Sequence, residues 1–168
     1  ALVDLDAFYR FWALESLLGF WDGYSGNKNN FFCYLHPKTD KFHFIPWGAD
    51  AAFGVHKAAV NPMAKPALAY RLYQHPAGRK QFVAALSKLL SQHWNDTALQ
   101  SEIDRIEALI GPVALQHPYV PTGKGGKPGK PADFKAAVAT TRAFVKERRG
   151  LLQTFVDSPT AWTAGPPK

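Results

Sequence analysis

The sequence is poor in sulfur, with one cysteine and one methionine among its 168 residues. A single thiol excludes a framework of internal disulfides, so packing alone must hold the fold together. No stretch approaches the roughly 18–20 consecutive apolar residues that a membrane-spanning helix needs, so we expect no membrane span in this chain. The remaining composition, 46% hydrophobic and 14% aromatic, is typical of a globular chain that forms one domain.

The chain also lacks the features of an N-terminal targeting segment. It begins at Ala1, inside a stretch with a helical pattern, and its methionine is Met63. We therefore expect a fragment of a longer chain, and the residues themselves do not indicate a localisation.

Acidic residues are scarce towards the C-terminus. Between Lys124 and Arg149, eight basic residues stand against Asp133 and Glu147, whereas residues 1–60 carry five basic and six acidic side chains. A basic stretch of this kind is usually a solvated helix face, and a slightly acidic N-terminal third does not suit the phosphate backbone of a nucleic acid. We therefore predict a solvated basic segment and no nucleic-acid partner.

The apolar pattern predicts an α+β fold that is mostly helical. Residues 5–20 repeat apolar side chains at spacings of three and four, which indicates a helix with a wide apolar face. The aromatic runs Phe31–Leu35 and Phe42–Pro46, separated by a polar loop, are typical of a β-hairpin. Two strands are not stable alone, so the hairpin must pack on helices. Further helices are predicted at 66–73, at 76–93, from Asn95 or Asp96 to a stop at Gly111-Pro112, and at 132–156.

The domain predicted from these elements covers residues 1–156. Within it, the segment TGKGGKPGKP at 122–131 has the composition of a flexible linker. Residues 157–168 offer too little apolar surface to bury, so we expect a disordered tail.

Four polar side chains are predicted to meet where the hairpin begins and ends. Asp22 follows the first helix and Asp50 follows the second strand, while Asn27 and Asn30 precede the first strand. A hairpin brings its two ends together, and carboxylate and amide oxygens are the ligands that Mg²⁺ prefers. The five-residue spacing from Asp22 to Asn27 also matches the catalytic loop of protein kinases. The spacing alone equally fits a structural turn at Asp22 followed by a polar hairpin entry at 27–30.

The segment LDAFYRFWALESLLGFWDGYSGNKNNFFCYLHPKTDKFHFIPWGADAAFG resembles the core of the CotH-type (spore-coat protein H) atypical protein kinase family. That family shows an apolar helix that ends in a Trp-Asp pair, an asparagine that opens an aromatic strand, and a hairpin that runs into a PW-D-x-D segment. The similarity continues through LAYRLYQHPAGRKQFVAALSKLL and DFKAAVATTRAFVKERRGLL, where the family has a late helix with an arginine. It covers roughly residues 4–155.

The resemblance implies the C-terminal lobe of a kinase-like fold that uses ATP and Mg²⁺ or Mn²⁺ to phosphorylate hydroxyl groups of a protein substrate. By position, it implies that Asp22 is the catalytic residue and that Asp50 binds the metal and the nucleotide. Asn30, which opens the aromatic strand, is the better-matched amide ligand, with Asn27 as the rival suggested by spacing. The family suggests a bacterial coat, a cell surface or secretion as the location.

Two departures from the family pattern favour an alternative to an active kinase. The PW-D-x-D segment reads Pro46-Trp47-Gly48-Ala49-Asp50 here, so the first acid is missing. Nothing before residue 5 supplies the nucleotide-covering loop or the phosphate-binding lysine, which implies an N-terminal lobe elsewhere in the same chain. The fragment alone is therefore expected to be inactive, and the alternative to a kinase is a pseudokinase that serves as a surface or coat protein-binding module.

Single residues give weaker indications. Cys33 lies in the middle of a predicted strand, where we expect a buried small side chain. Trp12, Trp21 and Trp47 are expected in the core, although Trp21 and Trp47 could instead line the site. The six histidines show no spacing typical of a zinc site.

Overall fold

The computed structural model describes residues 2–53, 63–116, 119–120, 127–128 and 131–159. Two compact units make up the chain: Ala1–Trp94 with Arg148–Lys168, and Asn95–Glu147. The helices are α1 (Leu5–Leu18), α2 (Tyr24–Asn27), α3 (Ala67–Gln74), α4 (Pro76–Gln92), α5 (Asp96–Gln116) and α6 (Pro131–Asp157), and the strands are β1 (Phe31–His36), β2 (Lys41–Pro46), β3 (Tyr119–Val120) and β4 (Lys127–Pro128). The fold is α+β and mostly helical, as predicted.

Helix α1 is fixed at both ends by its own sequence. The Asp4 carboxylate accepts a hydrogen bond from the Ala7 amide at 2.9 Å, which satisfies one of the free amides of the first turn. Gly19 ends the helix in the left-handed conformation, at φ 61°, and its amide donates to the Glu15 and Ser16 carbonyls. The predicted helix over 5–20 is thereby confirmed, two residues shorter at its end.

The Asp4 cap predicts a pH-dependent stability. The hydrogen bond from the Ala7 amide, with help from the charges of His43 and Lys41, lowers the pKa of Asp4. A lowered folded-state pKa means that the carboxylate stabilises the fold above its unfolded pKa, and that this contribution is lost as the pH falls through the folded value. We expect Asp4→Ala to lower the melting temperature at neutral pH and to flatten its fall in acid. Asp4→Asn, which keeps an acceptor at every pH, should remove the pH dependence but not the cap; equal acid sensitivity of all three proteins would contradict this.

The hairpin is antiparallel and in the predicted place. Its register pairs Phe31 with Pro46 and His36 with Lys41. Alternate side chains therefore share a face, and Phe31 and Phe44 point towards α1, where Phe44 lies 5.0 Å from Phe8 and 5.8 Å from Phe11, ring centre to ring centre. This aromatic contact holds the hairpin on the helix.

The core of the first unit is formed mainly between α1 and α4. Trp12 is fully buried, with its ring 4.1 Å from that of Phe82 and 6.0 Å from that of Tyr73. Its indole nitrogen donates to the Met63 carbonyl at 2.6 Å. Aromatic rings of this size contribute most of the apolar area that such a core buries.

The prediction that the basic C-terminal segment is a solvated face is wrong for two of its arginines. Arg148 is only 1% exposed, and its guanidinium donates to the Leu17 carbonyl at 2.9 Å and to that of Ser16, at the end of α1. Arg149 donates to the carbonyls of Leu90 and Trp94, at the end of α4. Cations placed there satisfy carbonyls that a helix end leaves unpaired. Neighbouring residues of α6 thus cap two different helices.

The second unit contains α5 and the first part of α6. The Asn95 side chain accepts from the Ala98 amide at 2.9 Å, which confirms the predicted cap of α5. The predicted stop at Gly111-Pro112 is wrong, because α5 continues to Gln116 with Pro112 inside it. A proline in the last turns removes only one hydrogen bond of the ladder, so the helix survives it there.

Other predicted segments fall partly outside the described residues. In the predicted linker 122–131, Lys127–Pro128 forms a two-residue strand that pairs with Tyr119–Val120, and Pro131 begins α6; the other linker residues lie outside the described part. The predicted tail 157–168 is described only to residue 159, and Asp157 closes α6. Among the described helices, none combines the length and apolar character required to cross a membrane.

Candidate active site

The segment after α1 folds into a tight turn and one short helix rather than an open loop. Tyr24–Asn27 form α2, between Asp22 and the first strand of the hairpin. Gly26 makes this possible, because a Cβ at that position would lie 2.7 Å from the Trp21 carbonyl carbon. No other residue allows the backbone to approach itself so closely.

Asp22 is half-buried and accepts hydrogen bonds from both candidate asparagines. The Asn27 amide nitrogen donates to Asp22 Oδ1 at 2.7 Å. The Asn30 amide nitrogen donates to Asp22 Oδ2 at 2.8 Å and to the Asp22 carbonyl at 3.1 Å. Both carboxylate oxygens are thus oriented by a neighbouring amide, and each keeps a further acceptor site for a ligand.

The hairpin register places Asn30 opposite Trp47, directly after the second strand. The Trp47 amide donates to the Asn30 carbonyl at 3.0 Å. This pair lies next to Phe31 and Pro46, the first residue of β1 and the last residue of β2. Gly48 follows in the left-handed conformation, at φ 56°, and a short 3₁₀ turn over Ala49–Ala51 presents Asp50. The structure thus places Asn30 against Asp22 and puts Asp50 on the turn that follows the second strand, at the same end of the hairpin.

The oxygens of Asn30 and Asp50 flank the same small space beside Gly48. A Cβ on Gly48 would lie 3.5 Å from Asn30 Oδ1 and 3.7 Å from Asp50 Oδ1. An ionised Asp22 can only accept hydrogen bonds, so the amide nitrogen of Asn30 must face it and the amide oxygen must face away. Asn30 thereby places its donor on Asp22 and its acceptor beside Gly48, where Asp50 Oδ1 also lies.

The oxygen donors fit a hard divalent cation that keeps several waters. Asp50 and Asn30 offer two oxygens on one side of Gly48, and Mg²⁺ is commonly held by one or two carboxylates together with substrate phosphates. The exposed Asn27 contacts Asp22. Within the described ranges, His, Cys, Asp and Glu form no group of three or more that could hold a metal ion. A cation here would therefore depend on amide, water and substrate oxygens.

Sequence reasoning missed Glu15, which lies behind this loop. Its carboxylate is 2% exposed and accepts hydrogen bonds from the Tyr24 and Ser25 amides. Burial raises the pKa of the Glu15 carboxyl, and hydrogen bonds from Ser25 and Tyr24 oppose that rise. Burial, together with the charge of Glu15, raises the pKa of the Tyr24 phenol to about 12. A single acid on the buried face of a helix as apolar as α1 was the signal that could have indicated it.

The two tryptophans that neighbour Asp22 and Gly48 in the sequence have exposed side chains. Trp21 is 41% exposed and Trp47 is 61% exposed, so only Trp12 of the three tryptophans expected in the core is buried there. The Trp47 ring lies 5.2 Å from that of Phe32 on the outer face of the hairpin. The prediction of a buried Cys33 is also wrong, since this thiol is free and exposed.

The chain is a mostly helical domain in which Asn30 at the start of the hairpin contacts Asp22 and lies beside Gly48. Comparison with known families shows which class of protein has this arrangement. The model of the CotH kinase protein family matches residues 1–152, and the chain belongs to that family, as the resemblance implied.

One curated relative shares a short stretch with this chain. A segment of 59 residues is 39% identical to Invasin CotH3 of the fungus Rhizopus delemar. The segment represents 34% of this chain and 10% of that protein, so the match spans a small part of the relative's length.

Proposed function

We propose that the full-length protein is a protein kinase that transfers the γ-phosphate of ATP to serine or threonine hydroxyls of a protein substrate. The observation that carries this proposal is the Asp22–Asn30–Asp50 arrangement at the end of the hairpin, in a chain of the CotH kinase family. The side-chain amides of Asn27 and Asn30 hold the Asp22 carboxylate, which can still accept further hydrogen bonds. Side-chain oxygens suited to a cation lie nearby. Phosphoryl transfer requires that combination.

In this proposal Asp22 orients the attacking hydroxyl and accepts its proton. The hydroxyl oxygen forms a bond to the γ-phosphorus, the bond from that phosphorus to the β,γ-bridging oxygen breaks, and ADP leaves with the bonding electrons. Asn27 and Asn30 hold the two oxygens of Asp22 so that the free acceptor sites face the substrate.

Asp50 and Asn30 would hold Mg²⁺ or Mn²⁺ through their side-chain oxygens, with Asn27 as a further candidate from the sequence. The bound cation would neutralise charge on the phosphate oxygens of the nucleotide. Asp50 and Asn30 would thereby also be the residues of this chain that position ATP. We further propose that residues 1–156 form the C-terminal lobe of the kinase domain and that the same chain supplies the N-terminal lobe.

The test is transfer of radiolabelled phosphate from ATP to protein by the full-length protein, with Mg²⁺ and with Mn²⁺. Label that depends on both Asp22 and Asp50 supports the kinase. A correctly folded wild-type protein that transfers no label with either cation would overturn it.

Gly48 favours a second candidate, a pseudokinase that serves as a protein-binding module. It stands where the family resemblance places the first acid of its metal segment, so the cation would meet one carboxylate there instead of two. Weak cation binding would leave a fold that presents surfaces to a coat or cell-surface protein but transfers phosphate poorly.

Gly48→Asp should strengthen cation binding. The space is available, because the new Cβ would be in ordinary contact with Asn30 and Asp50, although the left-handed backbone costs about 1 kcal/mol for a residue with a side chain. We expect millimolar Mn²⁺ to raise the melting temperature of this variant more than that of the wild type. Gly48→Asn carries the same backbone strain without the charge and is the matched control.

An equal response of the wild type and both Gly48 variants to Mn²⁺ would show that no cation binds beside Gly48. Label transfer by Gly48→Asp alone, with none by the wild type, would favour the pseudokinase.

A further inference from the structure

Glu15 has no role in the proposed chemistry, yet its environment is unusual for a glutamate. The side chain projects from α1 into the first unit and is 2% exposed. Burying a carboxylate is costly unless hydrogen bonds satisfy both of its oxygens. Here Oε1 accepts from the Tyr24 amide at 2.9 Å and Oε2 accepts from the Ser25 amide at 2.8 Å.

Those two amides belong to the first turn of α2, directly after Asp22. A helix of four residues is too short to be stable by itself. Gly23, the residue at its start, provides no side-chain cap, so the carboxylate from α1 performs that role. The last residue of α2 is Asn27, whose amide donates to Asp22. Glu15 therefore fixes the backbone between Asp22 and Asn27, the two residues that the side-chain hydrogen bond joins.

Gly23 shows how closely the carboxylate and the loop are fitted. A Cβ at this position would lie against Glu15 Oε1, at 2.9 Å from Glu15 Cδ and 2.8 Å from Phe20 Cδ1. The φ of Gly23 is −80°, so the glycine is required by the close contact and not by an unusual backbone conformation. Moving the carboxylate would thus move the backbone that carries Asp22.

We propose that Glu15 is a positioning residue for Asp22, acting through the amides of Tyr24 and Ser25. This role deepens the proposed kinase function and rests on it for its effect on catalysis. The hydrogen bonds themselves do not depend on any activity. Glu15→Gln removes the second acceptor oxygen, so that a side-chain amide faces a backbone amide and the loop must shift.

The first measurement is the steady-state rate of phosphate transfer by the full-length protein. A displacement of about 1 Å can cost about 10²-fold in rate, so we expect Glu15→Gln to lower kcat by between 10-fold and 10²-fold. KM for ATP should stay within about two-fold, because nucleotide positioning is assigned to Asp50 and Asn30. Rates are compared per folded molecule.

Two control variants distinguish positioning from general destabilisation. Leu86→Ala removes a buried side chain of α4 and should lower stability with kcat per folded molecule unchanged. Glu102→Gln changes an exposed glutamate that pairs with Arg105, and it should change neither stability nor rate appreciably. Equal losses of kcat in Glu15→Gln and Leu86→Ala would overturn the proposal.

The second measurement is residue-resolved amide hydrogen exchange in the wild-type protein, which needs no activity and no variant. If Glu15 fixes the loop, the Tyr24 and Ser25 amides should exchange as slowly as those in the middle of α1. Exchange of these two amides several orders of magnitude faster would overturn the positioning role. A wild-type protein that transfers no phosphate but protects both amides would refute only the kinase function.

Discussion

Asp22→Asn in the full-length protein is expected to lower the rate of phosphate transfer by about 10²–10⁴-fold, the range that general acid–base catalysis supplies. The substitution keeps the size of the side chain but removes its charge and one of its two acceptor oxygens. One of the Asn27 and Asn30 amides would then face another amide across less than 3 Å. The measurement is the initial rate of label transfer to protein at saturating ATP.

The effect of Asp50→Ala should differ in kind. This side chain is assigned to the cation, so its loss should raise the concentration of Mg²⁺ or Mn²⁺ needed for half-maximal rate as well as lower the rate. Asp40→Asn at the exposed tip of the hairpin is the matched control and should leave both quantities unchanged. Full activity of either Asp22→Asn or Asp50→Ala would refute the assignment of that residue.

Arg148→Met should produce a large loss of stability, although Arg148 is not one of the candidate site residues. The guanidinium is 1% exposed and donates to two carbonyls at the end of α1, and burial lowers its pKa to about 10. A buried carbonyl without a partner costs about 1–3 kcal/mol. The Leu17 carbonyl would lose its guanidinium partner, whereas the Ser16 carbonyl keeps the Gly19 amide, so the free energy of unfolding is expected to fall by ~1–3 kcal/mol. Methionine preserves most of the volume, which limits any contribution from a cavity.

Urea denaturation is the measurement for Arg148→Met, and Arg105→Met is its control. Arg105 is an exposed arginine paired with Glu102, and exposed ion pairs contribute about 0–1 kcal/mol. Similar stabilities of the two variants would show that the contacts of Arg148 with α1 do not hold the fold together.

The elements that the sequence predicted well are those with strong local signals. Helix α1 has an apolar face, an aspartate before it and a glycine after it, and the hairpin has aromatic strands around a polar loop. The position of Asn30 opposite Trp47 and beside Gly48 followed from the hairpin, since an antiparallel pair brings its first and last residues together. The contact of Asn30 with Asp22 depends in addition on the turn between α1 and β1.

Features that depend on contacts distant in sequence could not be predicted in this way. Arg148 looks like any other solvated arginine until α6 is placed against the end of α1, 131 residues away along the chain. The position of Glu15 on the apolar face of α1 hinted at burial, but its two amide partners could be recognised only once α2 had formed beside it. The continuation of α5 through Pro112 was missed for a different reason, because the sequence rule treats a proline as a stop, although a proline inside a helix removes one hydrogen bond and need not end it.

The two ends of the hairpin also differ in how far their sequence length can change. The strand register sets the position of the site residues. A shift of one residue in either strand would turn every side chain to the opposite face and would move Asn30 away from Trp47 and Gly48. The tip over residues 37–40 lies at the opposite end of the strands from Asn30 and Trp47, and the packing of Phe44 against α1 also holds the register. Insertions there, whether acquired in evolution or introduced as an epitope or a fluorescent label, would leave Asp22 and Asp50 in the same relation. The tip is therefore the natural position for a probe that reports on the protein without disturbing the site.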